Sequence, residues 1–222
     1  LAHILDTAGC DPTAFVGSLV NDWKCNFLPG GSEYLVVEGD EFKEHFLLID
    51  ADIAVITNMA PDHMDYYKTE ENLKKAFQTF VDKLPKDGLL VINADDEMTK
   101  ELTMPECKVL KFSLGLHGDV NAESIAVLDN KQVFDVLYDG HALGQHALGF
   151  PGRFNVANAL AAMTAALDLG ISPGLIKGAL DSFNGTWRRF QVLDDYKHTT
   201  VISDYAHHPT AVHATIEATK DF

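Results

Sequence analysis

Three short polar stretches combine carboxylates with histidines in a pattern that suits metal-assisted chemistry. They are segments 38–41 (Glu-Gly-Asp-Glu), 62–65 (Asp-His-Met-Asp) and 204–208 (Asp-Tyr-Ala-His-His). Each follows or ends an apolar run, and the ligands of parallel α/β sheets collect at the carboxyl ends of strands. Carboxylates with a single imidazole and no cysteine favour Mg²⁺ or Mn²⁺ over structural zinc. Glu38 and His63, at the ends of consecutive predicted strands, are the predicted metal ligands. The alternative is an ordinary turn, with Asp62 as a cap and His63 bonded locally.

Two further groups could bind an anionic ligand. Asn155 and Asn158 stand at positions i and i+3 near the start of a predicted helix, so both side chains can face one ligand. Arg188 and Arg189 lie between two aromatic residues, which predicts a partly buried turn in which a guanidinium needs an anion. Helix capping by Asn155 and a solvent-exposed arginine pair are the alternatives that the sequence leaves open.

Alternating strands and helices must position these groups. Apolar runs predict buried strands at 33–41, 52–58 and 88–96, and the helical spacing of apolar residues predicts an amphipathic helix at 69–84. Segment 107–150 has short alternating runs separated by Gly, Asp and Asn, which predicts antiparallel strands and hairpins. Helices are also predicted at 1–8, 153–170, 172–183 and 208–222, and strands at 190–196 and 199–205. This order of elements is typical of an α/β fold.

The composition excludes several classes of protein. The chain has 222 residues, 17 Lys and Arg against 33 Asp and Glu, and a formal net charge of −16. Such an acidic protein is poorly suited to nonspecific nucleic-acid binding or to docking on anionic membranes. Its 3 cysteines form no CxxC pair, which predicts reduced thiols in a cytoplasmic protein. No apolar run approaches the roughly 20 residues of a membrane span, and Leu1 to Leu5 lack the basic leader of a signal peptide.

A series of motifs carries a resemblance to a known family. In chain order they read VVEGDE, TNMAPDHMD, GRFNVANALAA, GTWRRF and DYAHHPTAV. In these motifs the chain resembles the central domain of the Mur ligases, over nearly its whole length. The resemblance implies an α/β fold with a mostly parallel central sheet flanked by helices and a small antiparallel β subsheet. It further implies a central ATP-binding domain at 1–189. Residues 190–222 would then form the junction with, and the first strand and helix of, a C-terminal Rossmann-like domain.

The resemblance also implies an activity. Mur ligases join an amino acid to a carboxylate through an acyl phosphate made with ATP, giving ADP and phosphate, in peptidoglycan precursor synthesis. The motifs GTWRRF and DYAHHP favour the branch that adds L-alanine to UDP-N-acetylmuramic acid. The murein-tripeptide-recycling branch, which shares AHHPTA, is the alternative. The implied cofactors are ATP and Mg²⁺ or Mn²⁺, and the implied partners are these small molecules, with no nucleic acid and no membrane.

Matching the motifs position by position assigns two pairs of residues to ATP and its metal. Glu38 and His63 match the family's magnesium ligands. Asn155 and Asn158 match the paired asparagines beside the ATP site. These assignments agree with the metal and ligand groups that the residue types suggest by themselves.

The same matching assigns residues near the predicted domain junction. Arg189 and Asp204 match the Arg and Asp that close the nucleotide site, and His207 with Tyr205 matches the region that lines the pocket of the incoming amino acid. Phosphoryl transfer to a carboxylate brings two anions together, so metal and cationic side chains must neutralise them. The tetrahedral oxyanion formed by amine attack can be stabilised by the same charges.

Some features of the family are missing from the sequence. The glycine-rich phosphate loop would lie immediately before Leu1, and no GKT or GKS occurs in the 222 residues. The first residues also read as a helix already in progress. We therefore expect a chain that begins just after the loop, ends inside the C-terminal domain and lacks ligase activity by itself. Lys74 and Lys75 do not match the carbamylated lysine of some relatives, which fits the alanine-adding branch.

Two other functions are compatible with the sequence. A noncatalytic nucleotide- or metal-binding module could keep the metal residues without the phosphate loop. A metal-dependent hydrolase would use Glu38, His63 and Asp204, and it would place these groups within about 5 Å of one ion. The ligase prediction instead places Asp204 nearer the nucleotide than the metal.

Overall fold

A computed structural model describes residues 1–129 and 131–220 of the chain. Its helices are α1 (Ala2–Thr7), α2 (Met64–Tyr67), α3 (Glu70–Asp82), α4 (Glu97–Lys100), α5 (Arg153–Asp168), α6 (Pro173–Ser182) and α7 (Pro209–Lys220). Its strands are β1 (Thr13–Val20), β2 (Cys25–Leu28), β3 (Leu35–Val37), β4 (Ile53–Ile56), β5 (Leu89–Asn93), β6 (Lys108–Ser113), β7 (Val120–Leu128), β8 (Lys131–Tyr138), β9 (His141–Leu148), β10 (Gln191–Tyr196) and β11 (Thr199–Ser203). A 3₁₀ segment, Phe42–Leu48, lies between β3 and β4.

The largest sheet has six strands in the order β4-β5-β6-β7-β8-β9. Strands β4 to β7 run parallel, and β7, β8 and β9 run antiparallel. This confirms the α/β class, the mostly parallel central sheet and the small antiparallel part. The antiparallel prediction for 107–113 was wrong, because β6 is parallel to both of its neighbours. Alternation of apolar residues reveals which side chains are buried, but it does not reveal strand direction.

Helices cover both faces of this sheet, as an α/β fold requires. On one face α5 packs against the sheet with Val156, Leu160 and Met163 fully buried. A helix enclosed in this way is apolar around most of its circumference, which explains the alanine-rich sequence. On the other face α3 packs against β4 and β5. Thr69 caps α3 by accepting a hydrogen bond from the Asn72 N–H, so the helix predicted at 69–84 is confirmed.

A separate three-stranded sheet, in the order β2-β1-β3, precedes the large one. Its third strand is the segment predicted as a buried strand at 33–41, but only three residues of it pair, and Leu35 is 63% exposed. The burial prediction was therefore wrong. It follows that Glu38 and His63 come after strands of two different sheets, and a loop must bring their surroundings together.

The C-terminal part consists of the antiparallel hairpin of β10 and β11 followed by α7. Ala218 on α7 is buried, and it lies beside Gly152 at the start of α5. The helix predicted at 208–222 is confirmed as far as Lys220, and its last two residues lie outside the described residues. The domain boundary after residue 189 stays a prediction. None of the described helices is long and apolar enough to cross a membrane.

Candidate functional site

Three polar side chains from the segments that follow β3 and β4 lie close together. One ligand atom from each of Glu41, Asp62 and His63 lies within 4.8 Å of the others. The His63 Nε2 atom is 3.7 Å from the Glu41 Oε1 atom, and the His63 Nδ1 atom is 4.0 Å from the Asp62 Oδ1 atom. All three residues are partly exposed. The imidazole therefore stands between two carboxylates in a place that solvent ions can reach.

An unusual backbone conformation aims His63 at this point. His63 adopts a left-handed conformation with φ 54° just before α2, and its N–H donates to the Asp62 carboxylate at 2.7 Å. Few residues other than glycine adopt positive φ, and those that do are held by their surroundings. Here the carbonyl of His63 accepts hydrogen bonds from the N–H groups of Tyr66 and Tyr67, at 2.8 and 3.0 Å. The turn is thus fixed from both sides.

Glu41 reaches the site because the chain turns sharply after β3. Lys43 and Glu44, at the start of the 3₁₀ segment, have φ of 52° and 62°. The ring of Phe42 lies 4.9 Å from that of His63, and the Tyr67 hydroxyl donates to the Glu41 carbonyl. Sequence reasoning missed Glu41, although it lies in the same acidic stretch as Glu38. No sequence pattern predicts the positive φ at Lys43 and Glu44. Nothing in the sequence therefore singled out Glu41.

Glu38 lies against strand β1. Its carboxylate accepts a hydrogen bond of 2.5 Å from the N–H of Gly17, and its own N–H donates to the Phe15 carbonyl at 2.9 Å. A side chain at residue 17 would crowd this carboxylate, because a Cβ there would lie 3.1 Å from its oxygens. The three-group cluster found among the described residues contains Glu41 rather than Glu38. Metal binding by Glu38 stays a prediction.

The third polar stretch of the sequence also arrives at this place. The His207 Nε2 atom is 3.9 Å from the Asp62 Oδ2 atom, and the His207 Nδ1 atom is 2.9 Å from the Tyr205 carbonyl. Asp62 is therefore shared between His63 and His207, two residues that are far apart in the sequence. The segments DHMD and DYAHHP meet at one carboxylate.

Asp204 organises the loop around the arginines. Its two oxygens accept hydrogen bonds from the N–H groups of Phe190 and Ala206, each at 2.7 Å. The guanidinium carbons of Arg188 and Arg189 lie 5.1 and 5.9 Å from the centre of the Tyr205 ring. Among the described residues, Glu38, His63 and Asp204 do not form the single metal cluster that a hydrolase of this design would need.

A cleft lies next to this loop. It has a volume of about 230 Å³, and Arg189, Gln191, Phe150 and Pro151 are among the residues that line it. The Asn155 side-chain amide donates to the Pro151 carbonyl at 2.7 Å, which links the start of α5 to the wall of the cleft. Asn158, one turn further along α5, is exposed. Arg189 thus lines the cleft directly, whereas Asn155 contacts it only through the Pro151 carbonyl.

The donor set of the cluster fits a hard divalent cation. Two carboxylates and one imidazole suit Mg²⁺ or Mn²⁺, which prefer oxygen ligands and keep several waters. Opposite ligands in an octahedral magnesium site are about 4.2 Å apart, since each lies near 2.1 Å from the ion. Adjacent ligands are about 3.0 Å apart, so the donors of Glu41, Asp62 and His63, which lie within 4.8 Å of one another, would have to move closer to share an ion.

Comparisons with known proteins place this geometry in a family. Residues 20–166 match the Mur ligase middle domain. The UDP-N-acetylmuramate–L-alanine ligase of Clostridium tetani is 40% identical over 225 residues, which cover 100% of this chain and 49% of that protein. The chain thus spans about half the length of the curated relatives it matches.

The fold is also similar to solved structures of Mur ligases. The UDP-N-acetylmuramate–alanine ligase MurC of Thermotoga maritima has a TM-score of 0.84 at 28% identity, over 99% of this chain and 50% of that one. A UDP-N-acetylmuramate:L-alanyl-gamma-D-glutamyl-meso-diaminopimelate ligase of Neisseria meningitides has a TM-score of 0.73 at 25% identity, over 84% of this chain and 62% of that one. Because the middle-domain match covers more than half of its residues, the chain belongs to the Mur ligase family.

Proposed function

We propose that the chain is the central part of an ATP-dependent ligase that joins L-alanine to UDP-N-acetylmuramic acid in peptidoglycan precursor synthesis. In the first step the carboxylate of the sugar substrate attacks the γ-phosphate of ATP, giving an acyl phosphate and ADP. In the second step the amine of alanine attacks the acyl carbon, forms the amide bond and releases phosphate. The enzyme works in the cytoplasm on these small molecules.

The observation that carries this proposal is the meeting of two distant motifs at Asp62. The carboxylate contacts His63 at 4.0 Å and His207 at 3.9 Å. A ligase of this kind needs its metal residues and its amino-acid pocket side by side, because phosphate and amine meet at one carbon atom. The 40% identity to the Clostridium tetani alanine ligase supports the same substrates.

Some residues of the chain would bind the metal ion, and Arg189 would supply positive charge. Glu41, Asp62 and His63 would hold a magnesium ion, with Glu38 as the further ligand predicted from the sequence. When bound, the ion would neutralise phosphate charge and so lower the repulsion between ATP and the attacking carboxylate. Arg189 would supply positive charge from the cleft, which would further stabilise the charge that develops during transfer.

Other residues shape the nucleotide and amino-acid sites. Asp204 holds the loop that carries Arg189 through its bonds to the backbone N–H groups of Phe190 and Ala206. Asn155 fixes the start of α5 at the cleft through the Pro151 carbonyl, and Asn158 would approach the nucleotide from the same helix face. His207 would face the incoming amine beside Asp62.

The test is amino-acid-dependent phosphate release by the full-length protein with ATP, Mg²⁺ and UDP-N-acetylmuramic acid. We expect release to require L-alanine, and glycine and L-serine at the same concentration serve as matched competitors. The product should be UDP-N-acetylmuramoyl-L-alanine by mass spectrometry. Phosphate release that depends on neither the amino acid nor the sugar nucleotide would indicate a hydrolase and contradict the proposal.

A second candidate acceptor is the murein tripeptide. It is favoured by the likeness to the Neisseria meningitides ligase, whose name includes L-alanyl-gamma-D-glutamyl-meso-diaminopimelate. The same assay distinguishes the two acceptors, since the tripeptide is added in place of L-alanine. A higher kcat/KM for the tripeptide would move the protein to the recycling branch without changing the chemistry.

A further inference from the structure

Tyr67 connects the two chain segments that form the candidate cation site. Its side chain is 2% exposed, and its hydroxyl donates to the backbone carbonyl of Glu41. Its backbone N–H donates to the carbonyl of His63 at 3.0 Å. One residue therefore bonds to both Glu41, which follows the three-stranded sheet, and His63, which follows strand β4 of the six-stranded sheet.

Tyr67 is itself fixed from the far side of the site. Its carbonyl accepts hydrogen bonds from the Asn72 side-chain amide at 2.7 Å and from the Thr69 N–H at 2.8 Å. These two residues begin α3, whose apolar face is buried against the large sheet. The position of Tyr67 is thus set by the rigid part of the fold.

The two segments contain residues with an unfavourable backbone conformation, which a connection of this kind would stabilise. Glu41 is followed by Lys43 and Glu44 with φ of 52° and 62°, and His63 has φ 54°. Positive φ at residues other than glycine persists only where the surrounding structure holds it.

We propose that Tyr67 is a positioning residue for the divalent-cation site and sets the distance between Glu41 and His63. The hydroxyl holds the Glu41 backbone, and the peptide N–H holds the His63 turn, so that the donors stay within one coordination sphere. The inference rests on the proposed function only in that a divalent cation binds this cluster. Removing a group that orients metal ligands typically weakens metal affinity by about 10- to 100-fold.

The test compares two adjacent tyrosines in the full-length protein. Tyr67→Phe removes the buried hydroxyl and keeps the ring, whereas Tyr66→Phe removes the hydroxyl of a side chain that is 39% exposed. Binding of Mn²⁺ alone is measured by electron paramagnetic resonance of the free ion. We expect Tyr67→Phe to weaken Mn²⁺ binding about 10-fold and Tyr66→Phe to leave it unchanged. Thermal melting reports whether each variant is folded.

A second variant and a second measurement keep the outcome clear. Asn72→Ala loosens Tyr67 from its other side and should also weaken Mn²⁺ binding. In the ligation assay, Tyr67→Phe should raise the Mg²⁺ concentration for half-maximal rate and should largely keep kcat at saturating Mg²⁺. Wild-type Mn²⁺ affinity in Tyr67→Phe, or an equal loss in Tyr66→Phe, would overturn the inference.

The two proposals can fail separately. If wild-type protein binds Mn²⁺ and Tyr67→Phe binds it weakly while no ligation occurs, the positioning role stands and the proposed function falls. If ligation depends on Mg²⁺ and Tyr67→Phe has wild-type affinity, the proposed function stands and the positioning role falls. If wild-type protein binds no Mn²⁺ at this cluster, the positioning role falls.

Discussion

His146 is a histidine buried in the core. It lies on β9 at 0% exposure, stacked on Phe134 with ring centres 6.0 Å apart. Its Nδ1 atom is 3.0 Å from the Gly144 carbonyl, and its Nε2 atom has no hydrogen-bond partner among the described residues. Burial lowers the pKa of His146 below its ordinary value of 6.5. The folded protein therefore resists protonation of this ring.

This burial predicts a loss of stability in weak acid. The unfolded chain binds a proton at His146 as the pH falls through 6.5, whereas the folded protein binds it only at lower pH. The free energy of unfolding should therefore fall between pH 7.5 and pH 5.5, by up to about 1.4 kcal/mol for each unit of pKa difference. Urea denaturation across this range measures the slope.

A pair of variants isolates the contribution of His146. His146→Asn removes the buried ring and should flatten the slope between pH 7.5 and pH 5.5, whatever its effect on absolute stability. His141→Asn changes an exposed histidine of the same strand and should leave the slope intact. Equal slopes in the wild type and in His146→Asn would mean that other groups cause the pH dependence.

For single residues, the sequence indicated which types of side chain form the candidate site better than it indicated which particular residues meet there. His63 and the acidic character of the site could be predicted, because strand ends in parallel sheets gather ligands. The presence of Glu41 in the cluster could not be predicted, because it depends on the positive φ of Lys43 and Glu44. The contact of His207 with Asp62 joins residues more than one hundred positions apart, and only the tertiary fold brings them together.

Among the elements, the start of α5 depends on one glycine. Gly152 has φ +114°, and a Cβ there would lie 2.7 Å from the Phe154 ring and 3.3 Å from the Ala218 Cβ. Gly152→Ala should therefore lower the free energy of unfolding by about 1–3 kcal/mol. It should also weaken nucleotide binding, because α5 carries Asn155 and Asn158, the proposed nucleotide-binding asparagines. Chemical denaturation and ADP titration measure the two effects.

A second glycine gives the matched control. Gly178 lies inside α6 and is exposed, and a Cβ added there would have no other atom within 4 Å. Gly178→Ala should raise the free energy of unfolding by about 0.5–1 kcal/mol, because alanine loses less backbone entropy in a helix. A destabilisation of the same size in both variants would contradict the role given to the Gly152 conformation.

The sequence predicted the helices better than the three-stranded sheet, because only the helices have a regular apolar pattern. Helices α3, α5 and α6 have a regular apolar spacing with recognisable ends, such as the Thr69 cap and Pro173 at the first position of α6. Strand β1 was not predicted, because Phe15 and Leu19 on its exposed face are as apolar as Ala14 and Val20 on its buried face. A strand that is apolar on both faces has no alternation to detect.

For the whole molecule, the fold class could be predicted from the order of elements, and the family from motifs in a fixed order. The arrangement of the strands in three sheets could not, because the pairing of β1 with β3 and the parallel direction of β6 are set by long-range contacts. Those contacts decide which strand ends are neighbours. The fold therefore had to be known before Glu41 could join the candidate site.

The packing of α7 on α5 predicts how the C-terminal part affects the proposed nucleotide site. The residues that line the cleft include Phe150 and Pro151, which precede α5, and Arg189 to Val192. Ala218 is 3% exposed and packs beside Gly152, so it holds residues 190–220 against the central part. Ala218→Glu places an unpaired charge in this contact, which is costly because the carboxylate loses its hydration.

We expect Ala218→Glu to weaken ADP binding by at least about 10-fold, which corresponds to about 1.4 kcal/mol. Thr219→Glu adds the same charge at an exposed neighbour on α7 and should change the affinity by less than about twofold. Isothermal titration calorimetry on the full-length protein measures both. If Ala218→Glu is folded and binds ADP like the wild type, the nucleotide does not depend on the contact between α7 and α5. The site would then belong to residues 1–189 alone, and Arg189 would act from the central part without support from the segment that follows it.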